Sequence, residues 1–369
     1  MKNGRATVAQ RTRPQRLGNL LLVGAAALVC VVLGEAALRL SGQSAYQPYV
    51  IVSSPFIRAD AHLGWANLEG YSGNTERNGS PIFAQHNSFG ARGPDYSAAP
   101  ATGVRRVLLL GDSYAWGYGV DQWQTASAMM DRQDPALEVI NMGVNGYSTD
   151  QQLLLFEKMG PTLRADIVVL LAFSNDMMGN TVAANFASRP KPHFILRQGE
   201  LELRPRAPLG VGGTIHVAGT SHSALYQTAA FTLRTARVFP FPLIRSGAHE
   251  AAAAWHDEPI AAPDPLMAAL ISRLRAAIEN TGGALVVVAA VNQGQIQKNT
   301  DAAFRETLAR ICLELAIPYL DISPSFQQEL RRNPEARLRL EHDDHWNARA
   351  HQVVASAMHE FLAASGLIP

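Results

Sequence analysis

The sequence predicts a doubly wound α/β protein, with a parallel sheet between two layers of helices. Five short apolar runs lack polar alternation, the mark of strands buried on both faces. Helical stretches separate them, and that alternation builds a layered sheet. Residues with chemical potential follow the first three runs directly, at the carboxyl ends of strands, where sites form in such sheets.

The elements follow in order. Lys2, Arg5, Arg11, Arg13 and Arg16 open the chain with no acid among them. Leu17–Gly34 is then uncharged and interrupted only by the polar Asn19. This stretch is just long enough for a transmembrane helix at about 1.5 Å per residue. "EAALRL" continues the helical pattern through the small-residue "GEA" at 34–36, so the run reads as an uncleaved anchor over 17–40. Cleavage as an export signal is the alternative. Basic residues stay inside. The expected arrangement is therefore a single pass of the inner membrane, with a cytoplasmic tail at 1–16 and the rest of the chain outside.

Residues 41–103 carry Gly, Ser and Pro punctuation and read as a linker with short strands or loops that pack on the domain. The main domain is expected at 104–365. Its strands are "RRVLLLG", "LEVINMG", "ADIVVLLAF", "ALVVVAAV" and "IPYLDIS". Its helices are "DQWQTASAMMDRQ", "STDQQLLLFEKMG", "DPLMAALISRLRAAIENTGG", "DAAFRETLARICLELA" and "NARAHQVVASAMHEFLAAS". An insertion at about 181–262 breaks the rhythm after the third strand. Within it "HFILRQGELELRPRAP" predicts a hairpin turning at Gln198–Gly199, with Ile195, Leu201 and Leu203 inward.

Composition sets bounds. The chain has 369 residues, 47% hydrophobic and 17% charged, which suits one large or two ordinary domains. A net charge of +1 implies no polyelectrolyte partner, and so no nucleic acid. Cys30 and Cys312 cannot form a disulfide framework.

Four blocks carry the chemistry: "GDS" at 111–113, "NMGVNG" at 141–146, "SND" at 174–176 and "DDHWN" at 343–347. A serine such as Ser113 is a poor nucleophile until a base takes its proton. His345 is the candidate base, since its ordinary pKa lies near working pH. Asp343, two residues earlier, can fold back to orient it. An acyl oxyanion needs donors aimed at it. The backbone N–H groups of Ser113 and Gly146 and the side-chain amide of Asn175 can converge from three strand ends. Asp112 reads as a supporting residue that stabilises its turn, and Asp176 likewise reads as structural. Each block alone also fits a bland role: a turn, a glycine-rich loop, a helix N-cap, a loop histidine.

In this order and spacing the four blocks resemble the SGNH hydrolases, or GDSL-like esterases. "NSFGARG" at 87–93 adds a resemblance to the family's membrane-anchored bacterial branch, through Asn87, Ser88, Gly90, Arg92 and Gly93. The resemblance implies a flavodoxin-like three-layer α/β/α fold and assigns Ser113, His345 and Asp343 to a catalytic triad. It assigns Ser113, Gly146 and Asn175 to the oxyanion hole. Two departures stand out. Phe173 occupies the position where the third block usually has glycine. The more familiar Asp-x-x-His spacing would place the acid at residue 342, which is histidine; the branch's Asp-x-His spacing selects Asp343 over Asp344.

The expected function is an extracytoplasmic serine esterase that removes an O-acyl group, such as acetyl, from cell-envelope or exopolysaccharide sugars. An O-acyltransferase using the same residues is one alternative, and a non-catalytic glycan-binding or assembly protein is another. No cofactor is expected. "HDDH" with His351 lacks the convergent donors of a metal site, so no metal is expected. Tyr114, Trp116 and Tyr118 suit either a substrate pocket or burial on the sheet. Arg189, Lys191, Arg197, Arg204 and Arg206 read as a solvated face before an anionic-glycan contact.

Overall fold

In a computed structural model the described residues are 13–40, 50–51, 54–77, 80–183, 190–206, 223, 225–226, 263–341 and 343–369. The basic tail 1–12, residues 41–49, Arg189, His342 and most of the 181–262 insertion lie outside them. Helix α1 spans Arg13–Leu40, and its stretch Leu21–Leu40 has a mean hydropathy of 2.4 with none of it buried. It is long and apolar enough to cross a membrane, a description that a signal sequence near an N-terminus also meets.

Short antiparallel strands follow. β1 (Val50–Ile51), β2 (Ser54–Asp60) and β3 (Gly64–Asn67) form one meander, and β4 (Ser72–Arg77) pairs with β5 (Ser80–Gln85). Their Phe56, Trp65 and Ile82 are buried in the same core as Leu108 and Leu170 of the main sheet.

The main sheet is parallel throughout. β6 (Arg105–Gly111), β7 (Leu137–Asn141), β8 (Ile167–Ala172), β11 (Ala284–Ala289) and β12 (Tyr319–Asp321) lie in the order β12-β11-β8-β6-β7. Successive side chains of a strand point to opposite faces, and here both faces are buried. Leu108 and Leu110 pack with Phe156, Leu270 and Ile311 from helices Thr149–Leu163, Pro263–Glu279 and Ala302–Glu314. Val107 and Leu109 pack with Met130, Phe326 and Val354 from helices Ala126–Gln133, Ser323–Arg332 and Ala348–Ala364 on the other face. The chain passes from β6 to β7 on one side and then to β8 on the other. That reversal makes the carboxyl end of β6 the switch point of a doubly wound sheet.

The hairpin forms as β9 (His193–Arg197) and β10 (Glu200–Arg204), and Gln198 and Gly199 both adopt positive φ, at 52° and 88°. That is the primed turn whose twist matches two strands. One side-chain expectation is corrected. Leu203 is 43% exposed, and the buried residue of its pair is Phe194. Leu201 packs on the core and Ile195 is buried.

If strands 54–85 fold with the sheet as one unit, Trp65→Ala should lower the single unfolding free energy by about 3–5 kcal/mol. A urea titration followed by far-ultraviolet circular dichroism tests this. An unmoved main transition would mean that these strands fold separately.

Candidate active site

Asp112 and Ser113 leave the end of β6 and enter the four-residue helix α2 (Ser113–Trp116). Gly111 permits the sharp exit, because a Cβ there would lie 2.6 Å from Ala115 Cβ and 2.9 Å from the Leu171 carbonyl. Asp112 Oδ1 accepts from the Tyr114 N–H at 2.9 Å and caps the helix. Its Oδ2 accepts from Asn175 Nδ2 at 3.1 Å. Asp112 is almost fully buried, and burial pushes its pKa up while these hydrogen bonds pull against the rise.

Ser113 Oγ lies 2.7 Å from His345 Nε2. His345 Nδ1 lies 2.5 Å from Asp343 Oδ1, which also accepts the His345 backbone N–H at 2.8 Å. With Nδ1–H donating to the carboxylate, Nε2 is left to accept from the serine hydroxyl. The neighbouring Asp344 turns outward, with its side chain 64% exposed and 4.0 Å from Arg339. The loop is fixed beneath by buried Trp346, which donates to the Val291 carbonyl at 2.7 Å.

The loop after β7 comes alongside. Val144 N–H donates to the Gly111 carbonyl at 3.1 Å, and Asn141 Nδ2 donates to the Ala115 carbonyl at 2.8 Å. Gly143 touches helix α2, where a Cβ would meet Trp116 N at 2.4 Å. Gly146 follows with φ 79°. Among the described residues neither the Ser113 nor the Gly146 N–H donates to a protein acceptor. Asn175 begins the short helix Asn175–Gly179 after β8 and is exposed. The structure thus brings together Asp112, Ser113, Asn175, His345 and Asp343, and carries Gly146 on a loop tied to the same turn.

Packing around the site involves residues that the sequence singles out and others, such as His86, Trp65 and Asn67, that it does not. The Tyr114 ring stacks on His345 at 4.8 Å, and Phe173 stacks on Tyr114 at 4.2 Å, so the residue in the usual glycine position backs the imidazole's support. Tyr118 lies 4.5 Å from the imidazole and is half-buried. Trp116 is fully buried. It donates to His86 Nε2 at 3.0 Å, while His86 Nδ1 pairs with the Leu68 carbonyl at 3.0 Å. Trp65 Nε1 donates to the Asn145 carbonyl and Asn67 Nδ2 to the Gly143 carbonyl, so strand β3 braces the second loop. His351 is buried against Trp346 and its Nδ1 accepts from Ala126 N–H, a core role.

One cationic expectation is also corrected. Lys191 faces neither solvent nor a glycan. It is fully buried in an ion pair with Asp150, itself fully buried. Asp176 is buried next to this pair, and burial first, then the Asp112 charge, pushes its pKa well up.

The model of the GDSL-like lipase/acylhydrolase family matches residues 109–353, more than half of the chain. The chain belongs to that family. Its members are esterases and other acyl hydrolases. No curated protein matches the chain. Solved structures similar to it include a member of the lipolytic G-D-S-L family from Veillonella parvula, at 14% identity and a TM-score of 0.37, covering 70% of this chain and 97% of that one. The psychrotrophic esterase EstA from Pseudoalteromonas is 11% identical with a TM-score of 0.40, covering 71% and 98%. A variant of an acetyl-xylooligosaccharide esterase from Geobacillus is 11% identical with a TM-score of 0.39, covering 70% and 94%.

The hydrogen bonds of His86 make a pH prediction. Burial lowers its pKa from 6.5 to about 3, the Leu68 carbonyl opposing the fall and the Arg92 charge adding to it. Its stabilising contribution is complete above pH 6.5 and is lost as the pH falls from 6.5 towards 3. Urea unfolding at a series of pH values should show this loss, and His86→Gln should reduce the slope by roughly one proton. An unchanged slope would assign the acid sensitivity to other groups.

Proposed function

We propose that the protein hydrolyses carboxylic esters through an acyl-enzyme on Ser113. The observation that carries this reading is the hydrogen-bonded chain Ser113–His345–Asp343 at the end of β6. His345 Nε2 takes the hydroxyl proton as Ser113 Oγ attacks the ester carbonyl, and Asp343 stabilises the imidazolium that forms. The N–H groups of Ser113 and Gly146, with the second amide hydrogen of Asn175, stabilise the oxyanion. Collapse expels the alcohol with the proton from His345. Water, deprotonated by the same nitrogen, then attacks the acyl carbonyl, and as the acid leaves, His345 returns that proton to Ser113 Oγ. Asp112 serves this chemistry indirectly, holding Asn175 with one oxygen and the nucleophile's helix with the other.

The family assignment supports ester hydrolysis, and the basic residues ahead of α1 support an anchor with the hydrolase domain outside the cytoplasm. A reporter fused after residue 369 should be active only on the outer side of the membrane. Activity of the fusion in the cytoplasm would overturn this topology.

A fluorophosphonate should label wild-type protein at Ser113, and Ser113→Ala should abolish both labelling and turnover of a small aryl ester. Asn175→Ala should cost roughly 10²–10³ in rate. Asp343→Asn should lower kcat more than about tenfold below that of Asp344→Asn. Retention of most activity by Ser113→Ala would refute the acyl-enzyme, and equal losses at the two acids would refute the assignment of Asp343.

A further inference from the structure

The "NSFGARG" segment has no part in the chemistry above, yet it delivers a charge into the core. Asn87 Oδ1 accepts the N–H groups of Phe89 and Ala91 and its Nδ2 donates to the Pro94 carbonyl, which closes the loop. The Arg92 N–H donates to the Asn141 carbonyl at 2.8 Å. Its side chain, 1% exposed, then runs beneath helix α2.

There the guanidinium's hydrogen bonds go to neutral acceptors, and the nearest acidic group acting on it, Asp121, makes no hydrogen bond to it. Nη1 donates to the carbonyls of Trp116 and Gly117 at 2.7 and 2.6 Å. Nη2 donates to the carbonyls of Val120 and Phe83 at 2.7 and 3.4 Å, and Nε to Gln122 Oε1 at 3.2 Å. All five N–H donors are thereby used. The guanidinium also lies 4.0 Å from the centre of the Trp116 ring. Carbonyls at a helix C-terminus have no partner within the helix, and here a cation gathers them. Gly117 is required at the contact, since a Cβ there would sit 2.8 Å from Arg92 Nη1.

A buried cation without a carboxylate on it is costly, and a merely structural filler of this space would be apolar. What the fork grips is informative. Trp116 ends the helix that begins with Ser113, and Tyr118, which packs on His345, lies between the gripped residues Gly117 and Val120.

We propose that Arg92 is a positioning residue for the Ser113 nucleophile: its guanidinium holds the carbonyls of 116–120, and so sets both the serine helix and the ring that packs on His345. This rests on the reading of Ser113 as nucleophile. Arg92 touches neither substrate nor reacting atoms. A lysine keeps the charge but presents a single point of donation in place of the planar fork.

The test uses the full chain in detergent, as wild type, Arg92→Lys and Arg92→Ala. For a small aryl ester, Arg92→Lys should lower kcat by about thirtyfold or more while KM changes by less than about threefold. Free guanidinium at non-denaturing concentration should restore part of the loss in Arg92→Ala and none in Arg92→Lys, where the lysine side chain occupies the site. Amide hydrogen exchange supplies a readout that needs no activity. Exchange across residues 113–121 should rise in Arg92→Lys, with residues 284–289 as protected as in wild type. Unchanged kcat with unchanged exchange would overturn the proposal. So would a loss of protection throughout the sheet with no rescue, which would mean that Arg92 only supports the fold. Should wild-type protein neither turn over ester nor take the fluorophosphonate label, the catalytic reading fails. The exchange pattern then decides alone whether Arg92 holds the loop.

Discussion

The parallel pairing of β6 with a strand on each side is the constraint on which the rest depends. Val107–Leu109 pairs with β7 on one edge and β8 on the other, and Gly111 is still in register with Leu171. The strand is therefore fixed up to the residue before Asp112. Beyond it the connections leave in opposite directions, and a crevice opens where they part. Backbone hydrogen bonds on both edges stop this strand from shifting, so a serine placed two residues past its end inherits the rigidity of the sheet. His345 and Asn175, from other loops, then converge on one fixed point.

Beneath that point lies an unusual amount of buried polarity. Asp112, Asp150, Asp176 and Lys191 are all buried, and only Asp150 and Lys191 form an ion pair. Burial favours the neutral acid for Asp176, which neighbours the Asp112 charge. Replacing such groups by apolar ones is often neutral or favourable for stability, so their presence speaks for geometry before stability. The Lys191–Asp150 pair ties the residues ahead of β9 to the first turn of helix Thr149–Leu163. Gln152 of the same turn donates to Asp176, the residue next to Asn175.

The sheet was legible because its strands are uniformly apolar and short, with helices of clear period between them. "LLLG", "VVLLA" and "LVVVA" admit no other reading in that context. The positions of Ser113 and Asn175 followed, since a strand end in such a fold is a known place. The hairpin turn was legible too, because Gln-Gly between two alternating runs suits positive φ. Its side-chain burial was legible only in part: Ile195 and Leu201 pack inward as expected, but Leu203 stays 43% exposed although its cross-strand partner Phe194 is fully buried, a difference set by how far along the hairpin the helix Pro263–Glu279 reaches. Residues 54–93 hid most. Their strands are brief, punctuated by glycine and serine, and carry His86, Asn67 and Arg92, residues ordinarily read as surface. Their burial is decided by partners far along the chain, such as Trp116, Gly143 and Asn141, and no local pattern encodes such partners. Lys191 illustrates the same limit, since its acid lies on a distant helix.

The turn that joins Asp343 to His345 has one more consequence. Carboxylate and imidazole are separated by a single residue, and one carboxylate oxygen holds both the ring and the backbone of the same histidine. The pair sits within one short segment, rooted by Trp346 and meeting Ser113 and two tyrosine rings. A displacement of this segment as a whole would change the Ser113–His345 distance and leave the Asp343–His345 contact, which lies inside it, unchanged. The segment 343–346 thus carries its own internal pairing, and the 2.7 Å contact to Ser113 is where that pairing meets the end of β6.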